Sequence, residues 1–93
     1  LQDFENLPDD FITNFHLTVG KNVKRIRQEN NLSQLKLAYM IGYKSVSQIS
    51  SAEIYYNKIH FNLEQLAKIS YVLNIPISEF FVGVDDVVEL GDE

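Results

Sequence analysis

An all-α fold is predicted by three observations. Apolar residues recur at three- and four-residue spacing through most of the chain, helix caps and stops follow one another at short intervals, and no segment alternates cleanly enough to be a confident strand. At 93 residues the chain is about one small domain, since domains commonly run to ~100–150 residues. Its 45% apolar content is that of a globular protein rather than a disordered one.

The elements follow in order. Leu7-Pro8-Asp9-Asp10 reads as a helix start, with Pro in the first turn, where its missing N–H costs nothing, and two acids at the positive end of the dipole. Phe11, Phe15, Val19, Val23 and Ile26 carry one apolar stripe; Gly20 weakens its middle, leaving one long helix or two joined pieces. Asn30-Asn31 is a stop, because Asn tolerates the left-handed conformation. Ser33 can cap the run from Gln34 to Ile41, which Gly42 ends. Ser45 or Ser47 can cap a further helix through Ile49, Ala52 and Glu53. The period from Ile54 to Phe61 is unresolved. Asn62 with Gln65 makes a capping box ahead of Leu63, Leu66, Ile69 and Leu73, and Asn74 closes that helix. Pro76 opens a short turn through Phe80 and Phe81, and Val84 to Leu90 fits a short strand or an unstructured tail.

The net charge of −5 argues at first against nucleic acid, because phosphate binding needs a positive face. The charge is segregated, however. Residues 1–18 carry −4 with no Lys or Arg, and residues 82–93 carry −5. All eight basic residues lie between them against Glu29, Glu53, Glu64 and Glu79, a net +4. This divides the chain into an acidic N-terminal extension (1–18), a basic domain (19–81) and an acidic tail (82–93), whose ends should repel phosphate.

Four features align between residues 33 and 53: a capped helix, the small Ala38 inside it, Gly42 after it, and a Ser-rich second helix. A helix-turn-helix needs them. Its helices cross closely, its turn needs positive φ, and its second helix must start with short polar side chains if it is to lie against base edges.

Over residues 19–81 the chain resembles the Xre/Cro-type helix-turn-helix family of repressors. The likeness is carried by Val23-Lys24-Arg25-Ile26-Arg27, Leu32-Ser33-Gln34, Leu37-Ala38, Ile41-Gly42-Tyr43, Ile49-Ser50-Ser51-Ala52-Glu53, Leu63-Glu64-Gln65-Leu66-Ala67-Lys68-Ile69 and the closing Leu73-Asn74-Ile75-Pro76-Ile77-Ser78-Glu79-Phe80. The resemblance implies a compact five-helix, lambda-repressor-like bundle that binds double-stranded DNA, with a recognition helix at about 45–52 in the major groove. It also implies an ion pair between Arg27 and Glu53 that ties the first helix to the third.

Gln34, at the start of the second helix, is expected to grip a phosphate. Lys44, Ser45, Ser47, Gln48 and Ser51 are the expected recognition surface. Gln48 can pair with adenine, Lys44 can reach guanine or a phosphate, the serines discriminate weakly, and Val46 can meet a thymine methyl or pack inside. Lys21, Lys24, Lys36, Lys44 and Lys58 are the available phosphate neighbours, and Asn57 and Lys58 occupy the place of a backbone-contacting loop. Two departures stand out: Gly42 to Ile49 is one residue longer than the commonest family pattern, which shifts the turn or the recognition helix, and Glu53 to Leu63 is longer by about two. Within that second stretch Tyr55, Tyr56 and Phe61 are unusual; core packing is favoured over a phosphate-facing or partner-facing role.

One such helix reads few base pairs, so a homodimer on a near-palindrome is expected, half-sites ~34 Å apart, with residues 75–81 and the tail as its surface. A cytoplasmic regulator, a repressor by preference, follows. The competing reading is a protein-interaction module, an antitoxin or adaptor, in which Phe4, Leu7, Phe11 and Phe15 form a partner surface instead of a cap on the core. No cofactor, small-molecule substrate or membrane partner is expected. The chain has no Cys; His16 and His60 lie far apart and lack Asp or Glu at metal spacing, and no Ser–His–Asp cluster or Gly-rich phosphate loop is present, so neither a metal site nor catalysis is expected.

Overall fold

The computed structural model describes residues 1–86. They form four α-helices, α1 (Phe11–Glu29), α2 (Gln34–Met40), α3 (Ser47–Ile54) and α4 (Leu63–Leu73), with a 3-10 helix, Ile77–Phe81, in fifth place. Short 3-10 turns lie at Phe4–Asn6 and Tyr56–Lys58, and no strand occurs among the described residues. The acidic tail expected over 82–93 falls outside them from residue 87 onward; of the stretch read as strand or unstructured, residues 84–86 are helical.

Every helix contributes to one core: Val19, Val23 and Ile26 from α1, Leu37 and Ala38 from α2, Ile49 and Ala52 from α3, Leu66 and Ile69 from α4, closed by Phe61 and Phe80. Backbone chemistry sets the boundaries. The Ser33 hydroxyl accepts the Lys36 N–H at 3.0 Å, and Asn62 and Gln65 cap each other's backbone N–H groups at 2.8 and 2.9 Å. Three helices end in the same two-bond closure, in which a left-handed residue turns the chain and the next N–H reaches back to a carbonyl five residues earlier. Asn31 does this for α1 (φ 57°), Gly42 for α2 (φ 91°) and Asn74 for α4 (φ 53°).

The N-terminal region departs from expectation. Leu7, preceding Pro8, is held extended (ψ 128°), so the helix starts only at Phe11, with Asp10 in the capping position and Pro8 outside the helix. From there α1 runs unbroken through residue 18, so the expected boundary between extension and domain lies inside one helix. Of the expected apolar cap, only Phe15 packs against the core; Phe4 is 83% exposed and Leu7 is exposed as well.

Gly20 is not a weak point but a crossing point. A Cβ there would stand 2.5 Å from the Glu53 carbonyl oxygen and 2.8 Å from that of Ala52, so α1 and α3 meet backbone to backbone. Asn22, buried two residues on, donates through Nδ2 to the carbonyls of Phe80 (2.9 Å) and Val82 (2.8 Å) and so fastens the closing segment to α1. The expectation that residues 75–81 present exposed aromatics is corrected by the same packing: Phe80 is fully buried.

The segment after α3 holds three residues at positive φ, Tyr55 (58°), Asn57 (51°) and Lys58 (63°), a conformation that Asn tolerates and that costs Tyr and Lys ~1–2 kcal/mol each. Side-chain stacking holds it. His16 of α1 stacks on Tyr55 (ring centroids 5.2 Å apart) and on His60 (4.0 Å), and Tyr55 and His60 are themselves 6.3 Å apart, so the three rings cluster and the two histidines, remote in sequence, are adjacent in the fold. Phe61 enters the core, as the packing reading expects, whereas Tyr56 is exposed. Among the described residues no group of three or more His, Cys, Asp or Glu is placed to hold a metal ion, and no helix is long and apolar enough to cross a membrane.

Two outcomes follow. Gly20→Ala gains ~1 kcal/mol of helix propensity, but it forces backbone apart at ~1–3 kcal/mol or more. The urea midpoint should therefore drop with an unchanged slope; an equal or higher midpoint would contradict the close crossing. His16 has its pKa lowered from 6.5, first by burial and second by the neighbouring His60. The folded state therefore takes up a proton less readily than the unfolded chain. The contribution of His16 to stability is present above pH 6.5 and is lost as pH falls from there through the lower folded value. The thermal midpoint should fall on acidification, and less steeply in His16→Gln; equal slopes would exclude His16 as the responsible group.

Candidate nucleic-acid interface

The two helices that matter are α2 and α3, joined through residues 41–46. Gly42 turns the chain out of α2 while the Tyr43 N–H reaches back to the Ala38 carbonyl at 2.8 Å. The Tyr43 hydroxyl accepts from Gln65 Nε2 at 2.8 Å, fastening the turn to α4. Ala38 is fully buried, as close packing of α2 requires. The extra residue appears in the turn: α3 spans Ser47–Ile54, two residues later than the expected 45–52. Neither serine caps it. Val46 occupies the N-cap position, and the Ser45 and Ser47 hydroxyls instead bond each other at 2.9 Å. Each serine satisfied the capping pattern equally well, so sequence alone could not choose the start.

One buried pair sets the rotation of α3. Arg27 at the end of α1 donates from Nε to Glu53 Oε2 at 2.8 Å and from Nη2 to Oε1 at 3.1 Å, a two-point contact. Its third arm, Nη1, donates to the Leu32 carbonyl at 2.8 Å, which ties the α1–α2 link to the same site. Gln34 completes the arrangement, its Nε2 donating to Glu53 Oε1 at 2.9 Å. The amide expected to grip a phosphate is thus engaged with Glu53, and Gln34 has only its backbone N–H and its remaining amide atoms to offer. Glu53 is the lone charged residue of α3 and is buried and paired, so the outward face of the helix carries no negative charge.

With Ile49, Ala52 and Glu53 turned inward, Ser47 and Gln48 face solvent and Ser51 is half-buried beside them. Lys44 and Ser45 are exposed on the turn, Val46 is half-buried, and Lys36 is exposed on the first turn of α2. Asn57 and Lys58 are exposed on the strained segment that follows α3. Ile54 was missed by the sequence reading: it is 61% exposed on the same face as Ser47 and Ser51. Its signal was the spacing of three from Ser51 and seven from Ser47, which the unresolved period beyond Glu53 concealed.

The helix-turn-helix family model matches residues 23–80, more than half of the chain. No curated protein and no solved structure matches it. The matched segment contains the whole α2–turn–α3 unit, the Arg27–Glu53 pair and all but the last residue of the closing 3-10 helix. The chain belongs to the helix-turn-helix family of the Xre/Cro type, a family of DNA-binding regulatory domains and not of enzymes.

Proposed function

We propose that this protein is a sequence-specific DNA-binding regulator, a repressor, that lays α3 in the major groove. The observation that carries this reading is the neutral, polar, outward face of α3, Ser47, Gln48 and Ser51, held in one rotation by the buried Arg27–Glu53 pair. Gln48 offers both a donor and an acceptor, as adenine recognition needs, and Ile54 offers an apolar surface to a thymine methyl. Lys36, Lys44, Asn57 and Lys58, with the backbone of Gln34, supply the phosphate contacts that fix register, and Ser45 lies among them on the turn. The charges of the ends set only a modest net attraction. The protein acts in the cytoplasm as a homodimer, because one short helix reads too few base pairs, and its half-sites lie about 34 Å apart.

The test is selection of a preferred duplex from a random pool, followed by binding across a salt series. The logarithm of affinity should fall with the logarithm of salt by ~0.9 for each phosphate contacted. Lys44→Ala with Ser47→Ala should weaken binding to the selected duplex by about tenfold or more. If no duplex is enriched and no binding appears at low salt, the fold serves as a protein-interaction module. If the double substitution changes neither affinity nor preference, the recognition surface lies elsewhere.

A further inference from the structure

The His16–His60 stack lines a cleft that the DNA reading does not use. Its volume is about 340 Å³, at the lower end of the ~300–1,000 Å³ of small-molecule sites, and its walls include Phe15, Phe61, Leu66 and Phe81. Phe15 and Phe81 touch each other there, ring centroids 6.5 Å apart at a 40° tilt, and form one aromatic wall. The cleft is therefore lined by that wall and by two imidazoles.

Among the described residues the imidazoles are short of a counter-ion. His60 Nδ1 lies 3.0 Å from the Lys58 carbonyl, which can only accept, so Nδ1 carries the proton and Nε2 is left to receive a second. Among the described residues His16 has no hydrogen-bond partner and neither ring is paired with a carboxylate. The titratable groups facing His16 are His60 and Tyr55; the α4 start and Phe81 bring only amide and apolar groups. Charging either ring puts a cation beside its neighbour with nothing to offset it. A carboxylate presents two oxygens to two ring N–H groups and removes that penalty, and an aromatic body matches the phenyl walls.

We infer that the cleft binds a small aromatic carboxylate, its ring against the wall of Phe15 and Phe81 and its carboxylate on His16 and His60. Tyr55, stacked on His16, immediately follows α3, so an occupant of this cleft touches the end of the recognition helix.

The chain has only two histidines, so their ring proton resonances report on the site directly and without DNA. Benzoate is the probe and benzamide its neutral counterpart. Benzoate should shift both resonances saturably and raise the His16 midpoint. Its affinity should be higher at about pH 5.5 than at about pH 7.5, since benzoate, like other carboxylates, stays largely ionised there while His16 is protonated more readily at the lower pH. Benzamide should bind about tenfold more weakly or worse, and His60→Gln, which alters an exposed side chain, should lose a similar factor. No saturable shift up to about 10 mM benzoate would overturn the inference. So would equal binding of benzoate and benzamide, or a benzoate response seen only after residues 87–93 are removed, which would give the cleft to the acidic end of the chain.

Discussion

The structure depends on the way α1 holds α3. A buried ion pair is an expensive connection: desolvation offsets much of its attraction, and removing one partner leaves an uncompensated charge at a cost of ~3–5 kcal/mol. Here the cost is met by completeness. Both Glu53 oxygens are engaged, all three arms of Arg27 have acceptors, and no buried side-chain polar atom among the described residues lacks a partner. Gly20 and Arg27 stand seven residues apart, two turns along one face of α1. Gly20 sets the distance to α3 by backbone contact, and Arg27 sets its rotation through Glu53. Given both, the inward residues of α3 are determined, and the outward ones with them.

That constraint also explains the placement of the remaining parts. Glu53 is satisfied from two sides, by Arg27 of α1 and by Gln34, the first residue of α2, while Arg27 also holds the α1–α2 link through the Leu32 carbonyl, so the two helices of the motif are oriented by the same charge. The chain leaves α3 through residues in disfavoured backbone conformations, which persist because Tyr55 and His60 are stacked against His16 and Phe61 is sunk in the core. The first half of α1 is therefore part of the domain, bracing the segment that carries Asn57 and Lys58.

The features legible in the sequence were those with local physical signatures. Ser33, Gly42, Asn74 and the Asn62–Gln65 box each act within four or five residues, and the structure uses them as their chemistry dictates. The core stripe of α1 was equally plain from its spacing. Arg27 and Glu53 came to notice only through family resemblance, because nothing local links charges 26 residues apart. Three features escaped for related reasons. Gly20 looked like a helix weakness because its partner is the backbone of α3. Gln34 had an evident role at a helix start, and the competing carboxylate lay in another element. His16 and His60 were remote in sequence, and their stacking arises only when the post-α3 segment folds back on α1. The third helix begins two residues later than the spacing suggested, and the unresolved period after Glu53 hid the exposure of Ile54.

If α3 reads DNA as proposed, the Arg27–Glu53 pair orients it for that contact more than it stabilises the fold. The most direct measurement is the ratio of affinities for the selected duplex and for unrelated duplex in the double variant Arg27→Met, Glu53→Met, at matched salt. Replacing both partners with apolar groups is often close to neutral for stability, so the variant should still unfold cooperatively. It should nevertheless lose about tenfold or more of the preference while keeping its non-specific binding and salt dependence. A folded variant that retains the full preference would contradict the account, since α3 would then be held in register without the pair.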